Sequence, residues 1–184
     1  MTDLFSGELV RLGALDKEDL QASSHWMRDY DLRRWMEDET IVPMTDEAQQ
    51  AWIDKALVAE DAYHFAIITL AEERFIGTCG LFSIDDKNGS AEFGIGIGEK
   101  DYWGRGYGTD AARLVLRFAF MERNLHRVEL ATFDFNARAI RSYEKVGFVH
   151  EGTRRQAIFR EGEYHDVHIM AALRSDWEAA STTG

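Results

Sequence analysis

The sequence predicts an α/β fold of the α+β kind: a mixed, mainly antiparallel sheet flanked by helices. Three observations carry that reading. Two runs rich in β-branched and aromatic residues, 63–70 (YHFAIITL) and 74–84 (RFIGTCGLFSI), meet across the polar turn Ala71-Glu72-Glu73. A third, 91–98 (AEFGIGIG), returns after an Asn-Gly turn signal and completes an antiparallel meander. The pattern then changes to an apolar helix over 108–123, a strand over 127–133 and a helix over 136–146, before two strand-like runs, 149–159 and 163–173, close as a hairpin around Arg160, Glu161 and Gly162.

Taken in order, residues 8–13 (ELVRLG) alternate as a first strand. Asp16 is placed to cap a helix carrying Leu20, His25 and Trp26 at helical intervals. Residues 30–44 read as irregular, with Pro43 stopping any helix. Thr45 or Asp46 caps a second helix over 47–59, although Ala48 stands where a full capping box needs Glu or Gln. Trp26, Trp35 and Trp52 either pack into the core or line a pocket beneath these early helices. Gly94, Gly96 and Gly98 leave one side of their strand bare, as expected where a ligand lies against backbone; a β-bulge without a ligand gives the same pattern. The 108–123 helix is apolar on more than one face, so it packs on a sheet, and Asn124 ends it. Gly147 closes the later helix, with Phe148 as the contact after the cap. A short helix over 175–180 and a frayed 181–184 finish the chain.

A length of 184 residues predicts one domain over 1–184, and 45% hydrophobic content suffices for its core. The formal charge of −12 argues against nonspecific nucleic-acid binding and against an anionic membrane surface. It suits a cationic partner, and it equally suits plain solubility. Cys79, the lone cysteine, sits in an apolar run and reads as a small buried hydrophobe in a reducing, cytoplasmic protein. No signal-peptide pattern is visible, and no apolar run approaches the roughly twenty residues of a membrane span. His165 and His168 fall on opposite faces of a strand and the remaining histidines are isolated, so no metal is expected.

The stretch 102–110 (YWGRGYGTD) lies between a strand and a helix. Such a glycine turn holds phosphate, because glycines let the backbone approach an anion and the first helical N–H groups lack partners. A nucleotide P-loop needs GxxxxGK[ST], which is absent. A dinucleotide fingerprint starting at Gly104 finds Thr109 where its third glycine belongs, and a meander precedes it where a parallel unit is required. The pyrophosphate of coenzyme A is the third candidate.

The run AEFGIGIGEKDYWGRGYGTDAARLVLRFAF resembles the cofactor motif of the GNAT superfamily of N-acetyltransferases, Gln/Arg-x-x-Gly-x-Gly/Ala at a helix start after a bulged strand. Gly106 and Gly108 take the glycine positions, and Trp103 departs from the common Gln or Arg. FDFNARAIRSYEKVGF resembles a second family motif through Asn136, Tyr143, Lys145, Gly147 and Phe148. The likeness spans essentially the whole chain and is strongest to the branch holding Rim-type ribosomal-protein N-terminal acetyltransferases and bacterial spermidine acetyltransferases.

That resemblance implies a GNAT-like sheet with a bulged central strand and acetyl-CoA as cosubstrate. Trp103, Gly104, Arg105, Gly106, Tyr107, Gly108 and Thr109 would surround the pyrophosphate, and the edge at Ile97 and Gly98 would pair with the pantetheine arm. Arg138, Arg141 and Lys145 either assist with phosphates or form a solvated face. Tyr143 is the candidate general acid, on one helix face with Asn136, which either binds pantetheine or is an ordinary N-cap. Glu92 is the candidate base, on the glycine side of its strand, or else a surface carboxylate. The acceptor would be a primary amine: a protein N-terminus, a polyamine or another small amine. Trp26, Trp35, Phe159, Glu37, Asp38 and Glu39 are candidates for its pocket. A homodimer is an expectation from the family, and a noncatalytic acyl-CoA-binding or sensory module is the alternative function.

Overall fold

A computed structural model of the chain describes residues 3–58 and 60–182. The side chains of Ala22, Trp52, Ala56, Leu57, Ser181 and Thr182 lie outside the described residues, and with them the core role expected of Trp52; so do Ala59 and the last two residues of the expected frayed end. The strands are β1 (Val10–Ala14), β2 (Tyr63–Thr69), β3 (Phe75–Asp85), β4 (Ser90–Ile97), β5 (Arg127–Phe133), β6 (Val149–Arg160) and β7 (Glu163–Leu173). They form one sheet in the order β1-β2-β3-β4-β5-β7-β6. Every neighbouring pair is antiparallel except β4 and β5. No helix among the described residues is long and apolar enough to cross a membrane.

A parallel pair needs a crossover, and the helix α4 (Tyr107–Arg117) supplies it. Small residues let this helix sit close to the sheet: Ala111 and Ala112 are fully buried, alongside Val115 and Leu116. They join Val10, Ile67, Ile76 and Val128 in the main core. The helix expected over 108–123 is regular only to Arg117. It widens into a π-helical turn, Phe118–Glu122, and ends at Asn124, whose φ of 54° reverses the chain. Cys79 is buried in the same core.

Before the meander the chain is more broken than its apolar spacing predicts. The helix α1 (Lys17–Ala22) is capped by Asp16, whose side chain accepts from Asp19 N–H at 3.0 Å. A 3₁₀ turn, Ser24–Arg28, follows, and Asp29 caps the single turn α2 (Tyr30–Arg33). Ser and Asp offer the backbone local hydrogen bonds that compete with helix continuation, which is why the expected helix breaks in two; α2 is a turn of helix within 30–44, where irregular chain was expected. The helix α3 (Asp46–Leu57) begins where Thr45 Oγ1 accepts from Ala48 N–H at 3.2 Å. Downstream, α5 (Ala137–Val146) and α6 (Arg174–Thr182) match the expected helices to within a few residues.

The site is set by where β4 and β5 part. Their parallel ladder holds three pairs, Ser90↔Arg127, Ala91↔Val128 and Glu92↔Glu129. Past Glu92, β4 stays in register with β3, from Phe93↔Leu81 to Ile97↔Gly77, whereas β5 stays with β7. A wedge opens between them. Gly98 N–H donates to Ile76 O at 2.9 Å, so the even-numbered residues of β4 turn their backbone groups toward β3. Alternation then directs the N–H and C=O groups of Phe93, Ile95 and Ile97 into the wedge. The irregularity in this pair of strands falls on β3, beside Ser83 (φ 49°), and leaves the wedge side of β4 straight.

Candidate active site

The glycine turn closes the wide end of the wedge. Gly104 and Gly106 have φ of 70° and 95°, values an L side chain adopts only with strain. Gly106 is the N-cap of α4 and offers no side-chain cap. The first helical bond is Asp110 N–H to Gly106 O at 2.9 Å, so the amides of Tyr107, Gly108 and Thr109 precede the ladder and point outward. This end of α4 is pinned from behind: the buried Asp110 carboxylate accepts from Leu9 N–H at 2.7 Å and Val10 N–H at 3.0 Å. It is tied to α5 by a 2.6 Å bond between the Thr109 and Ser142 hydroxyls.

The resulting cleft has a volume of about 440 Å³ and runs from the glycine turn along β4 to Trp35 and Met36. Its charge is one-sided. Arg138, Arg141 and Lys145, all from α5, line it, and no carboxylate among the described residues does. None of the three makes an ion pair among the described residues. In a chain of net charge −12, a cleft lined by cations and a bare helix N-terminus is built for an anion. The open edge of β4 beside it fits an extended chain bearing amides, which would add to the sheet like a strand. Coenzyme A has both parts, so these residues fit the cosubstrate that the resemblance implies.

Tyr143 lies deeper, half-buried between Phe93 and Phe148, with ring centroids 6.1 and 5.9 Å away. Burial pushes its phenol up to about 12, partly offset by the nearby Arg138 charge. The hydroxyl is therefore a proton donor throughout the neutral range. Asn136 caps α5 by accepting from Ala139 N–H at 3.3 Å, and its amide donates to Trp35 O at 3.4 Å. Both ends of this side chain serve structure, one for α5 and one for the loop at Trp35.

Nine of the expected cofactor residues meet in this cleft: Ile97, Trp103, Gly104, Gly106, Gly108, Thr109, Asn136, Tyr143 and Lys145. The side chains of Arg105 and Tyr107 turn away. Arg105 donates to Asp101 O at 3.2 Å, and Tyr107 stacks edge-on against Tyr102 at 5.0 Å. Gly98 is covered by the Trp26 indole and its N–H is spent on Ile76. The glycine side of β4 is therefore not bare, although Gly96 still lines the cleft. Gly94, Gly96 and Gly98 make room for Phe82, Met36 and Trp26 respectively. Glu92 needs a correction. It is exposed, lies opposite Phe82 and Glu129, and does not line the cleft, because it precedes the point where the strands part.

Among the acceptor candidates, Trp35 lines the cleft and packs on Phe135 at 5.5 Å. Trp26 is held by Glu99 at 3.2 Å and packs on Phe75. Phe159 is 59% exposed on the tip of the last hairpin, against Tyr164, and is not part of the cleft. Glu37 pairs with the buried Arg33 at 2.7 Å, whereas Asp38 and Glu39 are exposed. Met36 and Ser142 also line the cleft, and sequence reasoning missed both. Neither residue type signals chemistry; what brings them in is the fold of the 34–42 loop and the spacing of Ser142 one residue from Tyr143.

The acetyltransferase (GNAT) domain model matches residues 10–149, and the chain belongs to that family. It is an N-acetyltransferase by this membership. The spermidine N(1)-acetyltransferase of Escherichia coli K12 is 28% identical over 187 residues, covering 97% of this chain and 93% of the relative. An uncharacterised N-acetyltransferase, p20 of Bacillus licheniformis, is 28% identical over 174 residues, or 92% and 96% of the two chains. Among solved structures, the spermidine N-acetyltransferase of Vibrio cholerae in complex with CoA and spermine superposes with a TM-score of 0.82 at 25% identity, covering 92% of this chain and 98% of that one.

Proposed function

We propose that this chain moves an acetyl group from acetyl-CoA to a primary amine, and that the amine is a polyamine. The donor half rests on one observation above the others: the wall of Arg138, Arg141 and Lys145 facing a bare helix N-terminus, with no carboxylate lining the cleft. In this reading the amides of the glycine turn take the pyrophosphate, and Arg141 and Lys145 take outer phosphate charge. The wedge-side backbone of Ile95 and Ile97 pairs with the pantetheine amides. Acetyl-CoA supplies the acetyl group as a thioester. Tyr143 gives its phenolic proton to the departing sulfur, and the apolar packing around it keeps that proton in place until then. With no carboxylate along the cleft among the described residues, the amine sheds its proton to solvent.

The acceptor half is supported by the Vibrio cholerae neighbour, whose structure holds CoA and spermine, and by the relatives named spermidine N(1)-acetyltransferase. It is also supported by charge. Asp38 and Glu39 follow Trp35 and Met36, lie exposed, and make no ion pair among the described residues. A polycation is the acceptor such a rim attracts. The test is thiol release from acetyl-CoA across spermidine, spermine, peptides with free N-termini and an aminoglycoside. Polyamines are expected to exceed a neutral-tailed monoamine in kcat/KM by about tenfold or more. Preference for peptides would overturn the polyamine half, and no turnover of any amine would overturn the donor half.

A further inference from the structure

Trp103 departs from the Gln or Arg of the motif that the sequence resembles, and the structure shows what the indole does there. It lies on the turn before α4, and its Nε1–H donates to Ile97 O at 2.7 Å. That bond fixes the plane of the ring against the last residue of β4. From the opposite wall, the Arg138 guanidinium lies over the ring, its Cζ 4.2 Å from the centroid. Arg138 belongs to the first turn of α5, a turn that contains no acidic residue. A cation there opposes the positive end of the helix dipole. The side chain is exposed, and among the described residues its ring contact is the indole face.

A cation–π stack uses the face of a guanidinium and leaves its in-plane N–H fork free. Arg138 makes no ion pair and no hydrogen bond among the described residues, and it lines the cleft beside the glycine turn. We propose that Arg138 is the side-chain cation of the pyrophosphate site and that Trp103 is its positioning residue. That charge comes from α5, aimed by the indole. The inference rests on the acetyl-CoA reading above.

The test is calorimetric affinity for coenzyme A and for pantetheine, which lacks the phosphates, in the whole protein and its variants. Arg138→Gln is expected to weaken coenzyme A by about tenfold or more and to leave pantetheine unchanged. Trp103→Ala is expected to weaken coenzyme A comparably, yet to add less than about threefold in the Arg138→Gln background. Trp103→Phe keeps the ring face and is expected to stay within about threefold of the parent, while Arg138→Lys, without the planar fork, falls between. Full additivity of the two losses overturns the coupling. Equal loss of pantetheine overturns the phosphate role, and so does full coenzyme A affinity in Arg138→Gln, which needs no folded Trp103→Ala. A parent that binds no coenzyme A overturns the acetyl-CoA reading itself, an outcome separate from a parent that binds with uncoupled variants.

Discussion

Replacing Tyr143 by Phe removes one oxygen and retains the ring that packs on Phe93 and Phe148. Burial raises the phenol to about 12, so at pH 8 only about one molecule in ten thousand is ionised. If that proton reaches the leaving sulfur, its loss slows kcat by roughly 10²–10⁴-fold. Coenzyme A affinity is expected to hold within about twofold, because the proposed donor site uses backbone, cations and the β4 edge. Stability near neutrality is expected to change by less than about 0.5 kcal/mol, since the hydroxyl has no hydrogen-bond partner among the described residues. Alkaline pH gives a second readout. The raised value means the folded state keeps the proton while the unfolded chain, near 10, releases it. The stability this represents is present below pH 10 and is lost as pH rises from there through about 12. Urea midpoints from pH 9 to 11.5 should therefore fall less steeply in Tyr143→Phe than in the parent. Steady-state thiol release measures the first effect. A kcat within threefold of the parent would refute the acid role, and identical alkaline urea profiles would refute the burial argument.

Two further outcomes follow from buried charges away from the reacting atoms. Asp110→Ala leaves the amides of Leu9 and Val10 without their carboxylate, which predicts a loss of about 3–5 kcal/mol in urea unfolding; a loss under about 1 kcal/mol would show that α4 is anchored by other means. Arg160→Met removes the buried guanidinium that donates to Glu37 O at 2.7 Å and Glu39 O at 3.2 Å, leaving Arg34–Glu161 at 2.8 Å as the remaining tie from the last hairpin. It should raise the acceptor KM by about tenfold with coenzyme A affinity unchanged, and speed amide exchange over 37–42; unaltered exchange there would show that the hairpin does not hold the acceptor loop.

Much of the site was legible because it is local. The glycines at 104 and 106 and the Asn136 cap are backbone devices, and backbone demands leave a mark on residue type. The spacing of Asn136 and Tyr143 places both on one side of α5 whatever α5 packs against. Glu92 and the glycines of β4 were misread for the opposite reason. Alternation gives the face of a residue but not what covers that face. Trp26 and Met36, some sixty to seventy positions earlier, fill it. Glu92 is left on the wrong side of the point where the strands diverge, and no local pattern marks that point.

The identity of the donor site belongs to the sequence: a strand, a glycine turn and a helix with no side-chain cap, followed by an Asn–Tyr helix, describe an anion cradle before any coordinates exist, because short-range sterics and helix-end hydrogen bonding dictate it. Tertiary structure alone decided which charges converge. It brought Arg138 across to Trp103, turned Ile97 O toward the indole, and laid Met36 of the 34–42 loop over Gly96 under the grip of Arg33 and Arg160. Those contacts join residues as much as 123 positions apart. They arise from the parting of two strands, a long-range event set by which neighbour each strand prefers, and that preference is the free-energy balance of the whole sheet.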